Sequence, residues 1–261
     1  MAETVRVLCI GDVVRNPGCN FLMNTLPKFK KDNNIDVCIV NGENSANGDG
    51  MLKVSCENIF AAGADFITGG DHSLRRREFY DYIDNSLSVI RPANYGEGAP
   101  GKGYGIIDKG AYKIGVVNLL GTVWTDGFES PFKVIDGILG ELKKETNIIF
   151  VDFHAEATSE KKAFGHFVDG KVSAVFGTHT HVQTSDACVL AGGTGYITDV
   201  GMTGPEDSVI GIKKEIIIRK FCTGFTTMFE PADTPCFFQG CIFTVDRASG
   251  KCLSASPVTV R

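Results

Sequence analysis

Nine cysteines are spread over 261 residues, yet no Cys-x-x-Cys pair occurs among them. That absence removes the usual spacing of zinc-ribbon and dithiol redox sites. Cys9, Cys38 and Cys188 lie in apolar, strand-like runs and read as small core residues. Cys222, Cys236, Cys241 and Cys252 gather toward the C-terminus at irregular spacing and read as free thiols rather than a zinc site. No apolar run approaches membrane-spanning length. Ala2-Glu3-Thr4 leads straight into a strand pattern, so no signal peptide is expected and the expected setting is a reducing cytoplasm. Positive charge is not in excess either: 26 Lys and Arg face 31 Asp and Glu, a net charge of −5. This argues against duplex DNA held on a broad basic face. A small anionic substrate remains compatible, because bound metal ions can supply local positive charge. The glycine-rich stretch 96–105 lacks P-loop and dinucleotide patterns and reads as a loop or small excursion over a sheet. No repeat, low-complexity tract or linker divides the chain, so one domain spanning residues 1–261 is expected.

What is present is an alternation of short apolar runs with stretches of 3.6-residue period. Residues 5–10, 35–40, 66–68, 114–119, 148–153 and 172–176 read as strands, and 196–200 as a further apolar segment. Helices are expected around Phe21, Leu22, Leu26 and Phe29, and over 54–62, 76–85 and 132–144, the last with Pro131 at its start. Residues 215–219 and 240–245 read as strands with no helix between them. The pattern predicts a layered α/β domain with a mixed sheet or a second sheet.

Only five histidines occur, and two of them, His179 and His181, stand one residue apart just past an apolar run. Neutral imidazole is the commonest protein metal ligand. Five strand-like segments end in groups of metal-ligand type: Asp12, Glu43-Asn44, Asp71-His72, His154 and His179/His181. One such ending carries little weight, since a carboxylate there is commonly a helix N-cap. Five together carry more, because open α/β sheets bind ligands outside the C-terminal ends of their strands. Carboxylates, an amide oxygen and imidazoles suit manganese, iron or zinc. They exceed what one tetrahedral ion needs, so two ions sharing a bridging carboxylate are expected.

The ordered set Gly11-Asp12, Asn41-Gly42-Glu43-Asn44, Gly69-Gly70-Asp71-His72, His154-Ala155-Glu156 and Gly177-Thr178-His179-Thr180-His181 resembles the calcineurin-like metallophosphoesterases, most closely their YmdB-like branch. The resemblance extends through Arg91-Pro92-Ala93-Asn94-Tyr95, Pro100-Gly101-Lys102-Gly103-Tyr104, Ala157-Thr158-Ser159-Glu160-Lys161 and Thr198-Asp199-Val200-Gly201-Met202-Thr203-Gly204-Pro205, and covers essentially the whole chain. It implies a four-layer α-β-β-α sandwich with two mixed sheets and a dinuclear site at the strand ends. It implies one metal held by Asp12, Glu43, Asn44 and His181, and a second held by Glu43, Asp71, His154 and His179. His72 matches the proton donor. The implied cofactors are two ions of iron or manganese, with zinc as an option. The implied activity is hydrolysis of cyclic nucleotides, 2′,3′-cyclic before 3′,5′-cyclic, by a metal-bridging hydroxide. Alternatives are a phosphomonoesterase, a nuclease on short RNA, or a weakly active or non-catalytic nucleotide-binding regulator. The branch tends toward homo-oligomers.

One position departs from the pattern. The third motif is normally Gly-Asn-His, whereas here Asp71 precedes His72. An extra carboxylate lowers the net positive charge of the metal pair and weakens its pull on phosphate. An Fe(III)–M(II) pair would restore that charge. Arg75-Arg76-Arg77 follows and reads first as a solvated helix face, with contacts to phosphate or RNA as a second reading. His166 reads as a packing residue. Trp124 and Phe128, after the Gly121 turn, are candidates to stack a base or to pack a lid.

Overall fold

The computed structural model describes residues 3–125, 128–225 and 227–261. Ala2, named above as part of the lead into the first strand, lies outside the described residues. Thirteen strands and six α-helices are found among the described residues. Strands β1 (Thr4–Ile10), β2 (Asp12–Val13), β3 (Val37–Asn41) and β4 (Phe66–Thr68) are interleaved with α1 (Arg15–Asp32) and α2 (Lys53–Ala61). A 3-10 turn (Arg77–Phe79) then runs into α3 (Tyr80–Asn85). The second half-chain begins with β5 (Tyr104–Asp108), β6 (Lys113–Leu120), α4 (Pro131–Leu142), β7 (Ile149–His154), α5 (Thr158–Phe167) and β8 (Ala174–Thr178). It closes with β9 (Cys188–Val189), β10 (Gly195–Ile197), β11 (Met202–Pro205), α6 (Lys214–Thr223), β12 (Cys236–Asp246) and β13 (Cys252–Val260).

Two mixed sheets form. The first has the order β2-β11-β12-β1-β3-β4, with β13 on β12, and the second has β5-β6-β7-β8-β10-β9. β1, β3 and β4 run parallel, as do β6, β7, β8 and β10. Their C-terminal ends therefore share one rim in each sheet.

Period-two alternation decides which face each residue covers. Val7, Cys9, Val37, Ile39 and Phe66 point toward Val116, Phe150, Phe176 and Phe243 in a core between the sheets. Leu8, Ile10, Cys38 and Val40 face the other way, onto Leu22 and Leu26 of α1 and Cys56 and Ile59 of α2. Across the second sheet, Val117, Leu119, Val151 and Phe153 meet Ile135 and Leu139 of α4 and Phe164 of α5. Three apolar seams between four layers make the α-β-β-α sandwich.

Several sequence expectations need correction. Residues 215–219 are part of helix α6, not a strand. The Ile216-Ile217-Ile218 run has strand propensity, but only Ile217 is buried in the helix, and Lys214, Glu215 and Arg219 give it polar faces. The helix ends at Gly224 in the left-handed conformation (φ 72°), whose N–H donates to the Lys220 carbonyl. Helix α5 and strand β13 had no counterpart in the strand and helix reading. His166 is exposed in the last turn of α5, because Phe164, half a turn away, takes the inward position. Cys188 is exposed on the short edge strand β9 rather than in the core. Cys9 and Cys38 are buried as expected, as are Cys241 and Cys252. Burial pushes the Cys252 thiol up to about 11, so it is protonated at neutral pH. Among the described residues no helix is long and apolar enough to cross a membrane.

Candidate metal centre

All seven ligand-type residues lie at strand ends on the shared rim. Asp12 follows β1, Glu43 and Asn44 follow β3, and Asp71 follows β4, all on the first sheet. His154 ends β7, and His179 and His181 follow β8, on the second. Glu43, Asp71, His154 and His179 each offer a ligand atom within 4.8 Å of the others. His154 Nε2 lies 3.3 Å from Glu43 Oε1 and from Asp71 Oδ1, and 3.0 Å from His179 Nδ1. A second group adjoins it through Glu43. Asn44 Nδ2 lies 2.9 Å from Glu43 Oε1, 3.2 Å from His181 Nε2 and 3.5 Å from Asp12 Oδ1. Glu43 thus stands between an Asp71–His154–His179 group and an Asp12–Asn44–His181 group.

The donor chemistry suits cations. Three carboxylates converge with three imidazoles at a site open on one side: Asp12 and His154 are fully buried and Glu43 is 1% exposed, while Asp71 and His179 are partly exposed. The Asn44 amide now presents nitrogen toward two carboxylates and an imidazole. Turned over, its oxygen would complete an all-acceptor cradle. His181 Nδ1 is buried without a hydrogen-bond partner among the described residues. Electrostatics point the same way. Burial opposes ionisation of Asp12, but His181 beside it holds the carboxyl well below the usual range. Asp71 is likewise held low, against burial, by hydrogen bonds from His154 and His179. In turn, and also against burial, Glu43 and Asp71 raise His154 far above the ordinary imidazole value, and Asp12 raises His181. The carboxylates thus favour positive charge at His154 and His181, the charge that bound ions would supply in place of protons.

His72 sits at the edge of both groups. Its backbone N–H donates to Glu43 Oε2 at 3.1 Å, Nδ1 is 2.9 Å from Asn44 Oδ1, and Nε2 is 3.3 Å from Asp71 Oδ2. Gly70 has to be glycine, since a Cβ there would collide with Glu43 Oε2 and His154 Nε2.

Several supporting residues are not ligand candidates in the sequence reading. Thr178 Oγ1 is 2.8 Å from His154 Nδ1 and donates to Asp152 Oδ1 at 2.7 Å. Asp152 also accepts from Thr68 Oγ1 and from Asn41 Nδ2, so a buried polar knot joins the two sheets under the site. Burial pushes the Asp152 carboxyl up to about 6. Glu156 Oε2 meets His179 Nε2 at 3.0 Å, which turns Nδ1 toward the ligand group; such outer partners orient metal-binding histidines. His179 and His181 both have left-handed backbones, with φ of 99° and 64°, a conformation that costs non-glycine residues about 1–3 kcal/mol. A buried pair holds them there. Lys161 Nζ donates to the Thr178 carbonyl and to Asp199 Oδ2, both at 2.7 Å, and Asp199 Oδ2 accepts from Thr180 N. Glu156, Lys161 and Asp199 all lie in stretches that carry the family resemblance, the only sequence signal they give.

Other candidates fall elsewhere. Phe128 packs edge-on against Tyr95, with ring centroids 4.8 Å apart, and Trp124 is 82% exposed. Arg75 lies 3.4 Å from Asp49 and 3.8 Å from Asp71. Arg76 donates to the carbonyls of Asp49 and Ala46, and Arg77 is exposed.

The chain is similar to known proteins over nearly its whole length. The family described as YmdB-like protein matches residues 8–258. A 2′,3′-cyclic-nucleotide 2′-phosphodiesterase of Bacillus subtilis (strain 168) is 41% identical over 256 residues, covering 98% of this chain and 97% of that one. The crystal structure of a novel phosphatase from Mycoplasma pneumoniae superposes with a TM-score of 0.93 at 35% identity, covering 100% of this chain and 94% of the other. A hypothetical protein from Thermus thermophilus superposes with a TM-score of 0.91 at 38% identity, covering 98% of both chains. The chain belongs to the YmdB-like family of metallophosphoesterases.

Proposed function

We propose that this metallophosphoesterase is a phosphodiesterase that opens 2′,3′-cyclic nucleotides. In this reading Asp12, Glu43, Asn44 and His181 hold one ion and Glu43, Asp71, His154 and His179 the other, with Glu43 shared. All of these residues belong to one domain spanning the chain. The ions are iron or manganese, with zinc able to replace them. Two such ions, when bound, would supply a hydroxide nucleophile near neutral pH and would stabilise charge on the phosphoryl oxygens. The observation that carries the reading is the convergence of the two ligand groups on Glu43, with His72 at their edge.

His72 is the proton donor. Asn44 engages its Nδ1, which leaves Nε2, beside Asp71, as the end that gives a proton to the departing ribose oxygen. The oxygen of water joins phosphorus as the P–O2′ bond breaks, and the departing 2′-oxygen takes the proton from His72 to become a hydroxyl, leaving a 3′-nucleotide. The cyclic diester is strained and its leaving group adjacent, which places it ahead of 3′,5′-cyclic nucleotides and short RNA.

The test is a substrate panel on protein of measured metal content. It comprises 2′,3′- and 3′,5′-cyclic AMP, bis-p-nitrophenyl phosphate, p-nitrophenyl phosphate and a short RNA. Fastest turnover of 2′,3′-cyclic AMP supports the reading. Preference for p-nitrophenyl phosphate makes the protein a monoesterase instead. Tight nucleotide binding without turnover, in manganese, iron, zinc and cobalt alike, makes it a regulator. A homo-oligomer is part of the proposal, motivated by Ile218, Phe225 and Met228, exposed on and beside α6; a solution mass of one 28.1 kDa chain rejects it.

A further inference from the structure

The ligand groups open into a cleft of about 510 Å³, within the range of small-molecule sites. One side of it is Glu43, Asn44, His72, His179 and His181. Most of its apolar lining comes from one stretch of the chain between β11 and β12. Ile210, Ile217, Phe221 and Phe229 of this arm line the cleft, with Lys220 among them and Arg15 at the start of α1.

The arm is anchored at its base. Val209 and Ile212 exchange backbone hydrogen bonds, Lys213 N donates to the Glu230 carbonyl, and Ala232 N donates to the Gly211 carbonyl. Between Val209 and Ile212, Ile210 and Gly211 both have positive φ, 46° and 91°. Two left-handed residues in a hydrogen-bonded two-residue turn form the type I′ arrangement, whose first central position favours Asn, Asp or Gly. An isoleucine there is doubly unfavourable for folding. Its β-branched side chain strains a left-handed backbone, and that side chain is 51% exposed. Phe221 at 81% and Phe229 at 38% are exposed on the same wall. Lys220 Nζ lies 4.9 Å from the Phe229 ring centroid.

Strain and exposed apolar surface gathered opposite a phosphoester centre have one economical explanation. We propose that the arm is a nucleobase-binding wall: Ile210, Phe221 and Phe229 cover the flat face of the substrate's base while its cyclic phosphate lies at the ligand groups. Arg15 supports the same picture. Its backbone is left-handed (φ 59°), and its Nε is buried without a hydrogen-bond partner among the described residues. Its guanidinium packs on Gly48, where a Cβ would come within 2.6 Å of Nε. It is a cation on the lining of the same cleft, available to the sugar-phosphate. Aromatic and apolar faces accept any base, since every base has a π-face, so the wall distinguishes nucleotides from base-free diesters rather than one base from another. Trp124 and Phe128 take no part in this cleft.

This inference rests on the phosphodiesterase reading and is tested separately from it. Steady-state kinetics on the metal-loaded protein compare 2′,3′-cyclic AMP with glycerol 1,2-cyclic phosphate, which has no base. In Phe221→Ala and Ile210→Asn the KM for 2′,3′-cyclic AMP should rise roughly tenfold or more. The selectivity for nucleotide over glycerol diester should fall by a similar factor, with kcat for the nucleotide less affected. Ile210→Asn should also raise Tm, because asparagine suits the turn; a stabilised variant with weakened nucleotide binding cannot be explained by damage to the fold. Nucleotide KM within twofold of wild type in both variants overturns the wall while leaving the phosphodiesterase reading standing. Hydrolysis of neither diester by the wild type overturns both.

Discussion

At the scale of single residues, His72 and Asp71 carry the chemistry in question. His72 touches the ligand groups only at their edge, so His72→Ala should cut turnover by about 10²–10⁴ while metal content, measured by elemental analysis, stays near wild type. Loss of metal in that variant would instead make His72 a ligand. Asp71 brings a negative charge where the Gly-Asn-His motif that this segment resembles has an amide, and Arg75 lies 3.8 Å away as a partial counter-charge. An exposed arginine at that distance is well screened, so most of the extra charge is left for the ions to balance. An Fe(III)–M(II) pair is the expected resident, read by metal quantification with EPR; two divalent ions in fully active protein would rule it out. Asp71→Asn should then shift the preference toward two divalent ions.

At the scale of elements, the loop after β8 shows how a strained segment is held. The Lys161–Asp199 pair brackets His179 from the carbonyl of Thr178 and the amide of Thr180. Both side chains are buried, so removing one leaves a charge without a partner, a loss of about 3–5 kcal/mol. Lys161→Met should therefore lower Tm and weaken metal binding together, and a normal metal affinity in that variant would sink the positioning role. Asp65 ties elements elsewhere: its carboxylate accepts from Cys38 N in β3, Lys30 Nζ in α1 and Lys109 Nζ after β5. Burial opposes its ionisation, but these donors, Lys109 first, hold its carboxyl below the ordinary value. A depressed carboxyl stabilises the fold above its unfolded pKa, about 3.9, and that contribution is lost as pH falls through the folded value. Asp65→Asn should cost about 2 kcal/mol at pH 7. The gap in melting temperature from wild type should narrow as pH falls below 4; a gap constant with pH would reject the assignment.

For the whole molecule, what the sequence disclosed and what it hid follow different physics. Strands ending in ligand-type residues were legible because a short apolar run and the turn that closes it are local signals. The grouping of Asp12, Glu43, Asn44, Asp71, His154, His179 and His181 was legible through the family resemblance and the rule that sites form at strand ends. Helix α6 was not, because three successive isoleucines favour a strand, and only the surrounding arm makes them a helix with one buried position. The Asp152–Thr178–His154 chain and the Lys161–Asp199 pair were hidden because they join residues distant in sequence and ordinary in type. The cleft's apolar wall was hidden for the same reason: its strain is a property of backbone angles, not of composition. If ions bind the two ligand groups only in the folded protein, saturation at about a hundredfold over Kd adds about 2.7 kcal/mol per site. That corresponds to roughly 5–10 °C for a chain of this length, and a melting temperature indifferent to chelator would contradict the dinuclear reading.

The division of the ligands between two sheets also sets a timetable. Asp12 meets the backbone of His179 across 167 positions, and Asn44 meets His181 across 137. A nascent chain that has formed only β1, β3 and β4 carries the carboxylates but neither His154 nor the pair after β8. Such a chain would hold soft or borderline ions weakly, since its imidazoles are still to come. Metal capture by these residues would then be a late event in the life of each molecule, and in a cell it would mark the chains that have finished folding.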